Sequence, residues 1–314
     1  MSFQIEDKLM DGLDVVEIKN LQTGEYVNIV PRYGGAINEV VLKKNNDLHP
    51  IHKAAKSLDA FNAVSIPLYA GTFLAPFPNR VANGRYEFNG TTYLLDHTDP
   101  GLPNALHGFL YKTPFKVSSP DQEAGRLALE CSFHGDIGYP FKVFFRNTYQ
   151  LSENELRIRS YACNESGTKI PFGMGWHPYI ATGTPIDKLQ LKIPGEKTFE
   201  QDTQYIPIGT IKNNPKFREY AAISNDFMND CYQVNKPGRT SLYDPDKDLE
   251  IFIDQQTGPG GYNYCMYFTP PDRDCLAIEP MTAAPDAFNN GHGLITLAEG
   301  EAIELAFSLR INER

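Results

Sequence analysis

The chain has 314 residues, 41% of them hydrophobic and 22% charged, which is ordinary for a globular protein with a substantial core. Its net charge of −10 comes without a basic run. That argues against a nucleic-acid partner, whose phosphates call for clustered Lys and Arg, and against an anionic membrane surface. Residues 1–8 lack the basic-then-apolar layout of a secretory signal, and no stretch approaches the ~18 apolar residues of a spanning helix. The five cysteines, Cys131, Cys163, Cys231, Cys265 and Cys275, have neither CxxC nor disulfide-like spacing. Buried thiols in a reducing, cytoplasmic compartment are therefore expected.

Strand signals recur along the chain and helix signals are few. Residues 59–63 read as a short helical turn. Pro76-Phe77-Pro78-Asn79-Arg80 follows, where the prolines pre-set the backbone and deliver the arginine to a defined place. Tyr86 to Tyr93 is a hairpin with an Asn89-Gly90 turn. In Asn104-Ala105-Leu106-His107-Gly108 the glycine allows close backbone approach to a ligand. Leu127, Leu129, Cys131 and Phe133 alternate with polar or small residues, and Phe141, Val143 and Phe145 repeat the spacing of two.

Gly173-Met174-Gly175-Trp176-His177-Pro178-Tyr179 sets the only tryptophan beside a histidine. An aromatic face is suited to stacking on a pyranose ring, and imidazole to moving a proton near neutral pH. Leu189, Leu191 and Ile193 form a further strand, residues 195–214 read as a long loop, and residues 217–223 as a second helical turn. Leu249, Ile251 and Ile253 alternate again. The apolar strand Cys275-Leu276-Ala277-Ile278 ends in Glu279, a carboxylate that is costly there unless paired or functional. Ile303 to Ile311 alternates as a half-buried final strand. With no linker, repeat or charge block, residues 1–314 read as one domain, an all-β, large antiparallel β-sandwich.

Asp96-His97-Thr98-Asp99 and His49-Pro50-Ile51-His52 offer metal-type side chains but no HExxH or cysteine-histidine pattern, and both read as solvated loops. No phosphate-binding glycine loop and no GxSxG elbow is present.

Taken together, the four segments around Arg80, His107, His177 and Glu279 resemble the aldose 1-epimerase (galactose mutarotase-like) family. The likeness runs from Tyr33-Gly34-Gly35-Ala36 to the final strand. Pro78 to Gly84 is similar to the family's Asn-Arg-Ile segment, and Asn104 to Gly108 to its Asn-x-Leu-His-Gly segment. Ile278-Glu279 followed by Pro285-Asp286-Ala287-Phe288-Asn289 is similar to the catalytic glutamate and its trailing Pro-Asp-Ala-x-Asn. The resemblance implies a galactose mutarotase-like supersandwich and catalytic His177 and Glu279. It further implies a substrate site drawn from Arg80, His107, Asp230, Asn79 and Trp176. Trp176-His177-Pro178-Tyr179-Ile180 stands where galactose mutarotases have Asn-His-Ser-Tyr-Phe-Asn-Leu, and Phe109 stands where a second glycine often follows His-Gly. Both departures alter the pocket wall and leave galactose itself open as the substrate.

The expected activity is interconversion of the α and β anomers of a free aldose by acid-base ring opening and closure. Glu279 is the base and His177 the acid. Ordinary values of about 4.3 for Glu and about 6.5 for His would make an ionised base and a partly protonated acid available together. No metal or organic cofactor is needed, and the expected partner is a monosaccharide bound by a monomer or homodimer. The alternatives are a hexose-phosphate 1-epimerase, which needs further cations in the pocket, a catalytically inactive sugar-binding module of the same fold, and a glycoside hydrolase or lyase on a similar β-sandwich.

Overall fold

Residues whose side chains alternate between apolar and polar can bury one face of a sheet, and residues that are apolar on both faces must be covered twice. The computed structural model, which describes residues 2–312, contains both kinds of strand. A nine-stranded antiparallel sheet runs in the order Lys116–Asp121, Arg126–Phe133, Val143–Ser152, Glu155–Asn164, Ala302–Ile311, Leu249–Gln255, Gly238–Asp244, Gln190–Lys192 and Ala221–Ala222. Val143–Ser152 alternates strictly, with Val143, Phe145, Tyr149 and Leu151 buried and Phe144, Arg146, Thr148 and Gln150 half-buried. An eight-stranded sheet packs across that core. Its path is Pro207–Asn213, Lys197–Gln201, Asn229–Gln233, Tyr264–Phe268, Leu276–Met281, Gly175–Trp176 and Phe73–Leu74, and Tyr179–Ile180 pairs with Leu276–Met281 off the path. A five-stranded meander, Phe3–Met10, Leu13–Asn20, Tyr26–Val30, Ala36–Lys44 and Asp47–Pro50, supplies Val16, Ile18, Val27, Ile29 and Val40 to the same core cluster. That cluster extends from Val16 to Ile311.

The hairpin forms as Arg85–Phe88 and Thr91–Leu94, with Asn89 and Gly90 both at positive φ, as the primed turn requires. Two expectations are corrected. The stretch 195–214 is a hairpin of Lys197–Gln201 and Pro207–Asn213 rather than a loop. Residues 217–223 are not a helical turn. A single 3₁₀ turn at Pro215–Phe217 precedes the edge strand Ala221–Ala222. No helix among the described residues is long and apolar enough to cross a membrane.

The eight-stranded sheet positions the site through its side-chain parity. On its inner face lie Tyr232, Cys265, Tyr267, Leu276 and Ile278, all part of the main core cluster. The residues between them, Cys231, Met266, Ala277 and Met281, leave that cluster and join smaller ones on the opposite face. Register pairs Met266 with Glu279 and Cys231 with Met266, so Glu279 belongs to the outer set.

Candidate active site

The outer face of this sheet carries a cavity of about 180 Å³. That lies below the ~300–1,000 Å³ of sites for drug-sized ligands, so the occupant is small. Its lining includes Asn79, Arg80, His107, His177 and Glu279, which lie as far as 200 residues apart in sequence (279 − 79 = 200). Four pieces of chain deliver them, Asn79 and Arg80 coming together. Glu279 comes from the central strand, and His177 follows the short strand Gly175–Trp176 beside it. Backbone hydrogen bonds between His177 N–H and Thr72 O (3.0 Å) and between Gly71 N–H and His177 O (2.8 Å) tie that histidine to the neighbouring segment.

Asn79 and His107 fix one another. His107 N–H donates to Asn79 O at 2.9 Å, and Asn79 N–H donates to His107 Nδ1 at 3.2 Å. A ring nitrogen that accepts a hydrogen bond carries no proton, so neutral His107 must hold its proton on Nε2 and act as a donor. Burial, reinforced by His177 and Arg80, holds the His107 pKa well below its ordinary value. Gly108 permits this arrangement for a reason other than the expected one. A Cβ at Gly108 would lie 2.2 Å from Ala75 O, so the close approach is to the protein's own backbone and not to a ligand.

Arg80 is held from two sides. Its Nε donates to Asp99 Oδ2 at 2.7 Å and its Nη2 to Asp99 Oδ1 at 3.4 Å, while Asn104 Nδ2 donates to Asp99 Oδ2 at 3.3 Å. The loop around Asp99 is therefore not simply solvated: Asp99 is buried and lines the cavity. The backbone of Arg80 is clamped by Asp286, whose N–H donates to Arg80 O at 2.7 Å and whose Oδ1 accepts from Ala82 N–H at 2.9 Å. This gives the Pro285–Asn289 segment a concrete task. His52, in the other loop read as solvated, is also buried, its Nδ1 3.1 Å from Asn38 O and its Nε2 accepting from Tyr179 N–H at 3.4 Å.

Two expected substrate ligands lie elsewhere. Trp176 is 0% exposed, stacks on Phe307 with ring centroids 4.7 Å apart, and donates from Nε1 to Gly71 O at 3.1 Å. Adjacent residues of a strand point to opposite faces, so the turn that aims His177 at the cavity drives Trp176 into the core. Asp230 likewise does not line the cavity. Its neighbour Asn229 does, in register with Phe268, which is also in the lining. Tyr69 and Asn229 had no motif to mark them, and Asp99 stood in the Asp96–Asp99 segment read as a solvated loop. Tyr69 sits with its ring centroid 4.6 Å from that of His107.

Backbone strain gathers here. Tyr69, Asn79, His107, Tyr205 and Asp286 all have φ between 54° and 62°. Left-handed backbone is uncommon outside glycine and persists only where surrounding structure imposes it, often around functional sites.

At the cavity floor His177 Nε2 lies 3.5 Å from Glu279 Oε1, and the two side chains are 6% and 2% exposed. His177 Nδ1 and Glu279 Oε2 have no protein hydrogen-bond partner. Burial pushes the Glu279 pKa up to about 8, against a smaller opposing effect of Arg80, and pushes His177 down to about 3. The expectation of ordinary values is thereby corrected. Near neutral pH these shifts favour a single proton on the pair, carried by Glu279 rather than His177. At a separation of 3.5 Å the two groups stand side by side.

Ligand atoms of His107, His177 and Glu279 lie within 4.8 Å of one another, a spacing open to a metal ion. The donor set does not fit one. A ligating histidine presents a bare nitrogen and donates from the other, whereas His107 accepts at Nδ1 and turns its N–H toward the cavity.

Comparison with known proteins places the chain in a family and a fold. Residues 15–310 match the family model described as aldose 1-epimerase. The chain is 25% identical over 304 residues to the uncharacterized protein YihR of Escherichia coli K12, covering 92% of each. A galactose mutarotase-like protein from Clostridium acetobutylicum superposes with a TM-score of 0.86 at 19% identity, covering 100% of this chain and 99% of that one. Galactose 1-epimerase from Lactobacillus acidophilus superposes at 0.81 with 17% identity, over 99% of each chain. With the family model matched over nearly the whole chain and the fold shared with these structures, the chain belongs to the aldose 1-epimerase family.

Proposed function

We propose that this protein is an aldose 1-epimerase that interconverts the α and β anomers of a free monosaccharide. The observation that carries the reading is the His177–Glu279 pair, 3.5 Å apart, in a cavity sized for a small ligand. Ring opening removes a proton from the C1 hydroxyl, breaks the bond from C1 to the ring oxygen, and places a proton on that oxygen. Both oxygens are bonded to C1, so two groups side by side can each reach one. The proton count of the pair does not change across the step. When hydroxyls of a bound sugar donate to Glu279 Oε2 and Arg80 draws the carboxylate toward ionisation, the proton passes to His177. Glu279 then takes the proton of the C1 hydroxyl while His177 protonates the ring oxygen. The pair ends as neutral histidine and protonated glutamate, the state favoured in the empty cavity. Rotation of the aldehyde and the reverse transfers close the ring on its other face. Each positioned transfer contributes ~10²–10⁴-fold. His107, through its Nε2–H, and Arg80, through Nη1, are the donors that hold hydroxyls of the open chain.

Saturation-transfer NMR across a panel of free hexoses and pentoses tests the reading. Enzyme-dependent exchange between anomeric signals is expected for at least one sugar. Binding without exchange would favour the inactive sugar-binding module instead.

A further inference from the structure

We infer that Asp99 sets the charge selectivity of the cavity, reserving it for uncharged sugars by neutralising Arg80. The inference rests on the sugar site proposed above. Arg80 is the sole lysine or arginine in the cavity lining. A free guanidinium there would be an attractive site for a carboxylate or phosphate, since its fork matches both. This one is already occupied. Asp99 takes Nε and Nη2 along one edge, at 2.7 and 3.4 Å. The ring of Tyr205 covers the guanidinium, 4.9 Å from its carbon. Asn104 braces Asp99 and the residue before Tyr205, donating from Nδ2 to Asp99 Oδ2 and to Gln204 O, each at 3.3 Å. Tyr205 itself holds a left-handed backbone at φ 61°. The other edge, Nη1 with the second N–H of Nη2, is left without a protein acceptor among the described residues and can hold hydroxyls, but its positive charge is already balanced by Asp99. Asp99 and Arg80 side chains are 4% and 12% exposed, so solvent screens the pair weakly. The lining thus sums to one positive charge against Asp99, with Glu279 adding a second negative charge whenever it ionises. An anionic substituent entering ~180 Å³ of space finds no unpaired cation and a carboxylate within contact range. Polar side chains could have oriented the arginine without a buried ion pair, whose desolvation is expensive. The charge of Asp99 is therefore the feature that needs a function, and exclusion of anions supplies one.

The test uses methyl glycosides of a hexose and of its uronic acid, which bind without reacting, with affinities measured by ligand-observed NMR. In the wild type the uronide should bind at least about tenfold more weakly than the hexoside. Asp99→Asn leaves the lining one unit more positive, and one charge at ~5–6 Å in an effective dielectric of ~20 should shift that ratio toward the uronide by roughly 100- to 300-fold. Adding Arg80→Gln to Asp99→Asn should erase the gain. An unchanged ratio in folded Asp99→Asn, or a gain that survives loss of Arg80, overturns the inference. So does equal binding of the two glycosides by the wild type, a result that needs no variant to fold. Failure of the epimerase reading is separate, because it appears as absent anomeric exchange with the binding ratio intact.

Discussion

Replacing Glu279 with Gln should abolish anomeric exchange and, at the same time, make the protein more stable. The stability gain follows from where the proton sits. Glu279 is 2% exposed, its Oε2 has no protein partner, and burial raises its pKa from the usual 4.5 to about 8. Below pH 4.5 both the folded and the unfolded chain keep this proton, and the residue costs nothing through ionisation. As the pH rises past 4.5 the unfolded chain releases the proton while the folded chain still holds it, so unfolding becomes progressively more favourable. Each pH unit costs about 1.36 kcal/mol, so about 2.5 units between 4.5 and pH 7 amount to roughly 3 kcal/mol, levelling off above pH ~8. Glutamine keeps the shape and cannot ionise, so it escapes the penalty. Urea denaturation of wild type and variant at pH 5.0 and 7.5 measures the effect. The advantage of Glu279→Gln should be under ~1 kcal/mol at the lower pH and about 3–4 kcal/mol at the higher. The depressed pKa of His177 acts on both proteins and cancels in the difference. A variant that is no more stable than wild type, or whose advantage does not grow with pH, refutes the burial argument. A variant that is stable and fully active refutes the assignment of the base.

Three further outcomes test separate links. kcat/KM, which reports the free enzyme, should stay level through pH 7 and fall about tenfold per unit above pH ~8, where the pair loses its only proton; a fall beginning near 6.5 would restore ordinary values for the pair. Trp176→Phe should lower stability by ~1–3 kcal/mol, through the cavity left beside Phe307 and the lost bond to Gly71 O, with KM nearly unchanged. A rise in KM with stability intact would return Trp176 to the sugar. Asn229→Ala should raise KM severalfold, whereas Asp230→Asn should not, and the opposite order would refute the parity that separates them.

Legibility in the sequence followed the physics of burial. Strands with one dry face and one wet face announced themselves, as in Ala302–Ile311 and Val143–Ser152, and so did the Asn89-Gly90 turn. Leu13–Asn20 is buried on nearly every residue, which removes the alternation that would mark it as a strand. Pro207–Asn213 fails for the opposite reason: it is an edge strand, exposed along its length, and carries no apolar face to read. Of the cavity lining, Arg80, His107, His177 and Glu279 could be named from the sequence because each sits in a recognisable segment. Asp99 could not, since nothing local distinguishes an aspartate that reaches across 19 residues to an arginine from one that faces water. Trp176 could have been placed correctly. Once residues 175–176 are read as extended, the tryptophan and the histidine after it cannot face the same side.

Burial of the His177–Glu279 pair also accounts for how one proton would serve the proposed reaction, which needs both an acid and a base. Opening the ring takes a proton in at one oxygen and returns one at the other, so the pair must carry a single proton at the start and at the end. Two groups with ordinary values, 4.5 for the glutamate and 6.5 for the histidine, hold one proton only within that narrow interval. A dry cavity disfavours charge on both, pushing the glutamate up and the histidine down. Their order reverses, and the single-proton state then spans about 3 to about 8. The two arrangements of that proton, on Glu279 or on His177, differ by one transfer between groups already 3.5 Å apart. A bound sugar has only to tip a balance that the fold has set, and the stability lost by keeping Glu279 out of water is the physical counterpart of that breadth in pH.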